Sequence, residues 1–237
     1  MQCVILAGGL ATRMRPLTES LPKALIPIAG VPFVDHQLDW LARHGVTDVV
    51  LSVGYRGEML SRHVGDGGRW GLRVRVVDEG SDLRGTAGAL RLADDQGALD
   101  ERFLVTYGDS FLPIDFAAVW DRFLSCGRPA LMTVFRNDGK WDGSNVIFED
   151  GAVVLYDKHH KTFPPSAFSH IDYGLSALER RVVREEIPAG VSSDLAVLFH
   201  QLSVRGQLAG FEVTQRFYEI GSPGGLEDFS RWLATRS

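Results

Sequence analysis

Strand-like and helix-like segments alternate four times before residue 136, and that order limits the chain to few folds. Residues 3–7, 48–53, 72–77 and 102–107 are short apolar runs of strand length. Residues 33–44 place Val34, Leu38, Leu41 and Ala42 at i, i+4, i+7 and i+8, the spacing of one helical face, and Gly45 stops the pattern. Residues 57–64 and 86–95 read as further helices. Phe116, Val119, Trp120, Phe123 and Leu124 form another helical stripe ahead of a fifth apolar run at 130–135. Strands separated by helices need crossover connections, which set them parallel and cover both faces of their sheet. The expected fold is α/β, a Rossmann-like and mostly parallel sheet sandwiched by helices.

After residue 136 the rhythm changes. Residues 145–148 and 152–156 read as a hairpin around Glu149-Asp150-Gly151, and 171–175 as a strand. Leu195, Leu198, Phe199 and Leu202 mark a helix, with Ser192 or Ser193 as N-cap and Gly206 as stop. A strand at 208–213 and a helix at 224–234 close the chain. No Pro/Gly/Ser-rich linker divides the halves, so residues 1–237 read as one domain with a small β-rich lobe.

Composition excludes several function classes. The 237 residues carry 25 Lys+Arg against 30 Asp+Glu, a net charge of −5, with 45% apolar residues. That is globular rather than disordered, and too acidic for a typical nucleic-acid binder. Cys3 and Cys126 are too few for a disulfide framework or a structural zinc site. The start lacks a signal-peptide pattern and no apolar run is long enough to span a membrane, so a cytoplasmic protein is expected. The sequence leaves oligomeric state open, a homo-oligomer included.

Ligands of open parallel sheets bind beyond the carboxyl ends of the strands, so the loops there carry the chemistry. The first is Leu6-Ala7-Gly8-Gly9-Leu10-Ala11-Thr12-Arg13-Met14-Arg15-Pro16-Leu17-Thr18, followed by Pro22-Lys23. Paired glycines let backbone approach a ligand, successive N–H groups form an anion-binding nest, and Arg13, Arg15 and Lys23 add three cations. The guest that suits this set is a polyphosphate; the plainer reading is a loop with solvated cations. It is neither a Walker A loop nor a G-x-G-x-x-G fingerprint.

This loop resembles the G-G-x-G-T-R-x-x-P-x-T…P-K motif of the sugar-phosphate nucleotidyltransferases, with Ala11 where that family usually has glycine. The resemblance continues in order along the chain. Leu83-Arg84-Gly85-Thr86-Ala87-Gly88-Ala89-Leu90 is similar to the family's L-G-T-A-G-A-L loop against the base, and Gly108-Asp109 to its metal-holding G-D. Tyr156-Asp157-Lys158 resembles the E-K pair that meets the sugar phosphate. Asp172-Tyr173-Gly174 stands in place of N-x-G. Tyr218-Glu219-Ile220-Gly221 resembles D-I-G, with Glu219 replacing the second metal aspartate.

The resemblance implies transfer of a nucleotidyl group from a nucleoside triphosphate to a sugar 1-phosphate, giving pyrophosphate and a nucleotide-activated sugar for surface polysaccharide synthesis, with another phosphorylated small-molecule acceptor as the alternative. It assigns Arg13 and Lys23 to catalysis, and Leu6, Ala7, Gly8, Gly9, Thr12, Arg13, Glu79, Gly85, Thr86 and Gly88 to the nucleotide. Asp109, Asn145, Asp157, Lys158, Asp172 and Gly174 fall to the acceptor, and Asp109 with Glu219 to Mg²⁺. Residues 1–136 are then the nucleotide half and 137–237 the acceptor half. The Leu-Ala-Gly-Gly opening leans toward mannose- and heptose-1-phosphate guanylyltransferases; cytidylyl, uridylyl and thymidylyl transfer stay open. The departures at Asp157, Asp172 and Glu219 suggest an unusual acceptor such as a heptose phosphate. No hexapeptide-repeat β-helix is evident, so a minimal catalytic domain is expected. His159-His160 reads as a solvated turn, and Trp141-Asp142-Gly143-Ser144-Asn145 as pocket lining or turn chemistry. Two other classes compete: a non-catalytic nucleotide-binding regulatory module, and a glycosyltransferase, whose D-x-D metal site Gly108-Asp109-Ser110 lacks.

Overall fold

The structure, a computed structural model, describes residues 1–9, 14, 16–137, 140–141 and 143–236. Its elements in chain order are β1 (Gln2–Ala7), β2 (Pro27–Ile28), β3 (Val31–Pro32), α1 (Phe33–Arg43), β4 (Asp48–Val53), α2 (Gly57–Val64) and β5 (Arg73–Asp78). Then come α3 (Gly85–Asp95), β6 (Arg102–Tyr107), β7 (Ser110–Phe111), α4 (Phe116–Ser125) and β8 (Ala130–Arg136). The second half holds β9 (Val146–Glu149), β10 (Ala152–Tyr156), β11 (His170–Glu179), α5 (Arg180–Glu186), α6 (Leu195–Val204), β12 (Leu208–Val213), β13 (Tyr218–Glu219) and α7 (Pro223–Ala234). The alternating pattern of the first half therefore appears where the apolar spacing puts it.

Nine of these strands form one sheet in the order β5-β4-β1-β6-β11-β8-β12-β10-β9. β5, β4, β1 and β6 are parallel, and β8 pairs parallel with β12. Only β10 and β11 run against the other seven. β11 enters from the second half and separates β6 from β8, so both halves of the chain share the sheet. Beyond its pairing with β6, the start of β11 meets β9 at His170↔Val146, which curls β11, β8, β12, β10 and β9 into a partly closed lobe.

Alternation along β1 feeds two cores. Val4 and Leu6 join Leu90 of α3, Val183 of α5 and Leu198 of α6; Cys3 and Ile5 join Leu38 of α1, Leu60 of α2 and Val119 of α4. Each such apolar side chain contributes about 1.5–3 kcal/mol on burial, which is why β1 carries no polar residue between Cys3 and Ala7. The β9–β10 hairpin turns on Asp150 (φ 48°) and Gly151 (φ 76°), the two positive angles that a right-handed twist demands of a two-residue turn.

Two local expectations need correction, and one helix was not anticipated. α6 is capped by Asp194, whose carboxylate accepts from the Ala196 N–H, and not by Ser192 or Ser193. β11 is longer than residues 171–175. α5 carries no periodic apolar signal, because it buries only Val182 and Val183. It is held instead by charge: Asp94 of α3 accepts from Nε of Arg180 and, at 2.9 Å, from Nε of Arg184. No helix among the described residues is long and apolar enough to cross a membrane.

Candidate active site

The carboxyl ends of β1 and β6 meet backbone to backbone. The Gly108 N–H donates to the Leu6 carbonyl at 2.9 Å, and a Cβ at Gly108 would stand 2.7 Å from that of Ala7. A bare residue is what lets the two strand ends close here. In front of them opens a pocket of about 290 Å³, with Leu6, Ala7, Gly8, Gly9, Glu79, Gly85, Thr86, Lys23 and Asp109 in its walls. These expected residues, drawn from the end of β1 and the segments that follow β1, β5 and β6, converge on one cavity. Gly88 does not: it lies inside the first turn of α3, where a Cβ would crowd the Val191 carbonyl at 3.0 Å, so its role is close packing. Leu10, Ala11, Thr12, Arg13 and Arg15 lie outside the described residues. Leu83, at the start of the Leu83–Leu90 motif, adds apolar wall, and so does Tyr55, which no motif marked.

Lys23 follows Pro22 in a single 3₁₀ turn and reaches Asp109, with Nζ 2.5 Å from Oδ2. Asp109 is set by a residue that sequence reasoning missed. Gln37, buried on α1, donates from Nε2 to the carbonyls of Tyr107 (2.8 Å) and Ser110 (2.9 Å), which flank Gly108-Asp109. Its signal was legible as a polar residue on the apolar stripe of Val34, Leu38 and Leu41. The pairing of β7 with β13 sets Glu219 opposite Ser110, and the Ile220 N–H donates to the Asp109 carbonyl at 2.9 Å. Asp109 lines the pocket, while Glu219 is exposed and does not; carboxylates are hard oxygen donors of the kind that hold a divalent cation together with phosphate and water. No cluster of three or more metal-ligating side chains occurs among the described residues.

Glu79 sits at the pocket edge, its Oε2 accepting from the Arg84 N–H at 2.8 Å. Burial pushes its carboxyl up, against the pull of Arg84. The loop that follows is docked onto the second half. Ser193 accepts from the N–H groups of Ala87 (3.0 Å) and Gly88 (3.3 Å), and its own N–H donates to Arg84. Gly85, at φ 70°, lies against that carbonyl so closely that any Cβ would overlap its oxygen.

Asn145, Asp157, Asp172 and Gly174 come together on the other side of Tyr107. Asn145 Oδ1 accepts from the Asp172 N–H at 2.9 Å, its carbonyl accepts from Asp157 at 2.9 Å, and the Gly174 N–H donates to Asp172 Oδ1 at 3.0 Å. Burial pushes the Asp172 carboxyl up to about 6, although Gly174 and Lys158 pull it down. Tyr107 records the same grouping: burial raises its phenol, and the carboxylates of Asp172, Asp194 and Asp109 raise it further. Asp157 points elsewhere. Its carboxylate accepts from the N–H groups of His159 (3.2 Å) and Thr162 (2.8 Å), and so closes the turn that presents Lys158. Lys158 is half-exposed, with Nζ 3.6 Å from Asp194 Oδ2. Within that turn His160 is not freely solvated: its Nε2 donates to the Ser144 carbonyl at 2.7 Å and its ring packs on Phe168. Trp141 stacks on the Arg216 guanidinium at 3.7 Å, and Asp142 lies outside the described residues.

Comparison with known proteins agrees with this geometry. A family model described as nucleotidyl transferase matches residues 2–140, and the chain belongs to that family. Over 99% of its length it is 32% identical to a mannose-1-phosphate guanylyltransferase of Mycobacterium tuberculosis, covering 64% of that protein. A mannose-1-phosphate guanyltransferase of Neurospora crassa is 41% identical over 94% of the chain and covered to 61%. The chain thus spans about three fifths of the length of these curated relatives. Its fold matches that of HddC from Yersinia pseudotuberculosis complexed with GMP-PN, with a TM-score of 0.80, 23% identity, and coverage of 98% of this chain and 99% of the other.

Proposed function

We propose that this chain is a nucleotidyltransferase that joins a nucleoside triphosphate, GTP by preference, to a sugar 1-phosphate and releases pyrophosphate. The product would be a nucleotide-activated sugar for surface polysaccharide synthesis. The observation that carries this reading is the convergence of Gly8, Gly9, Lys23, Glu79, Gly85, Thr86 and Asp109 on one pocket at the strand ends.

An oxygen of the acceptor phosphate attacks the α-phosphorus in line; the new P–O bond forms as the bond to the bridging oxygen breaks, and pyrophosphate leaves with the electron pair. Both substrates are highly negative, so charge neutralisation and alignment are the main tasks. Lys23 would sit at the α-phosphate, Arg13 would hold the leaving β- and γ-phosphates, and Lys158 would hold the acceptor phosphate. Asp109 and Glu219 would hold Mg²⁺, whose charge offsets that of the phosphates. Asp172 and Asn145 offer polar contacts to the acceptor.

Two observations favour guanine. The relatives at 32% and 41% identity are named mannose-1-phosphate guanylyl- or guanyltransferases. In the pocket wall Glu79 would supply carboxylate oxygen as an acceptor for the paired N1–H and 2-amino donors of guanine, which adenine lacks. Purified protein, Mg²⁺, each nucleoside triphosphate and a panel of mannose, glucose and heptose 1-phosphates should release pyrophosphate, fastest with GTP. Release with no pair, alongside consumption of a nucleotide sugar, would identify a glycosyltransferase instead.

A further inference from the structure

The nucleotide side and the acceptor side of the cleft share one carboxylate. Asp194 caps α6, but a cap requires only one of its oxygens. Oδ1 accepts from the Ala196 N–H at 2.9 Å and from the Thr86 hydroxyl at 3.0 Å. Thr86 in turn accepts from the Leu195 N–H at 2.8 Å, so its side chain is held from both directions. Thr86 lines the nucleotide pocket. Oδ2 faces the other way, 3.6 Å from Nζ of Lys158 on the acceptor side. The carbonyl of the residue just before it, Ser193, accepts from the Ala87 and Gly88 N–H groups of α3, so Asp194 is fixed to the same helix that carries Gly85 and Thr86.

We propose that Asp194 is a positioning residue that sets the Thr86 hydroxyl on the nucleotide side and the Lys158 ammonium on the acceptor side. One rigid carboxylate then places the contacts of both substrates in a common frame, as in-line transfer requires. Its ionised form is the one the fold selects. Burial pushes the carboxyl up, but the Ala196 N–H, Lys158 and Thr86 outweigh burial and hold it below the ordinary range. The inference rests on the nucleotidyltransferase reading above.

The test is steady-state kinetics on Asp194→Asn, Lys158→Met and the double variant of the full chain, with GTP and the best sugar phosphate of the panel. Asparagine keeps an oxygen for the cap and for Thr86 and removes only the charge facing Lys158. Asp194→Asn should raise the acceptor KM about threefold to fivefold, the range of a half-exposed ion pair, and leave the GTP KM unchanged. In the Lys158→Met background it should add nothing to the acceptor KM, because the residue acts through Lys158. An unchanged or lowered acceptor KM overturns the proposal, and so does an effect of equal size with and without Lys158. Asp194→Ser, which caps without charge, replaces asparagine if that variant melts early. Wild-type protein that releases no pyrophosphate with any pair overturns the nucleotidyltransferase reading as well; active wild type with an indifferent Asp194 overturns only this inference.

Discussion

Lys23 Nζ stands 2.5 Å from Asp109 Oδ2, across 86 positions of sequence. The ammonium and the carboxylate thus meet at the point where the proposed reaction places the α-phosphate and a divalent cation. In the proposed reaction each would exchange the other for a phosphate or a metal contact when substrates arrive.

Lys23→Ala and Asp109→Ala should each lower kcat on the order of 10²-fold or more, the scale for one electrostatic group at a reacting centre. Pyrophosphate release under saturating substrates measures this, and chelation of divalent cations should abolish it. A near-normal rate in either variant removes that residue from the reaction.

Glu79→Gln should weaken GTP more than other triphosphates. The amide keeps one acceptor but brings a donor against the guanine donors, and a site built for hydrogen bonding discriminates strongly when one is left unmatched. The expected change is roughly tenfold or more in kcat/KM for GTP, with the value for ATP little affected. Equal losses for both nucleotides would assign Glu79 to its bond with Arg84 alone.

Gly85→Ala and Gly9→Ala form a contrasting pair within one pocket. Gly85 has φ 70° and lies against the Ser193 carbonyl, so alanine should cost about 1–3 kcal/mol and lower the melting temperature. A Cβ at Gly9 meets nothing within 4 Å, so Gly9→Ala should melt with the wild type and show any loss in the KM for the nucleotide. Thermal melts of the two variants decide this; equal melting temperatures would contradict the tight docking of α3 on Ser193.

Asp172 should make stability depend on pH. Unfolded, an aspartate titrates near ~3.9; folded, this one is pushed up to about 6. The native state therefore favours the protonated form. That stabilisation is complete below the unfolded value and is lost as pH rises through about 6. Asp172→Asn imitates the protonated side chain, so its urea midpoint should exceed that of the wild type at pH 7.5 and approach it at pH 4. The wild-type acceptor KM should rise as pH falls below about 6, as the carboxylate loses its charge. A midpoint gap independent of pH would place the group in water.

The apolar periods and the loop motifs determined, without coordinates, that this chain is an α/β protein with a glycine-rich strand-end site. The parallel strands and the Asp150-Gly151 turn follow from local spacing, because strand and helix periods are written in consecutive residues, whereas most of the pocket residues come from the resemblance of the loop motifs to a family. Contacts between distant segments were not legible. The insertion of β11 between β6 and β8, the anchoring of Asp109 by Gln37, and the choice of Asp194 over two serines as the α6 cap depend on which segments meet. The same holds for Asp157, which a motif comparison assigns to the acceptor and the fold uses to close a turn. A side chain's type states what it can bind; only tertiary packing decides which partner stands within hydrogen-bond reach, because burial leaves each polar group a few neighbours to satisfy it.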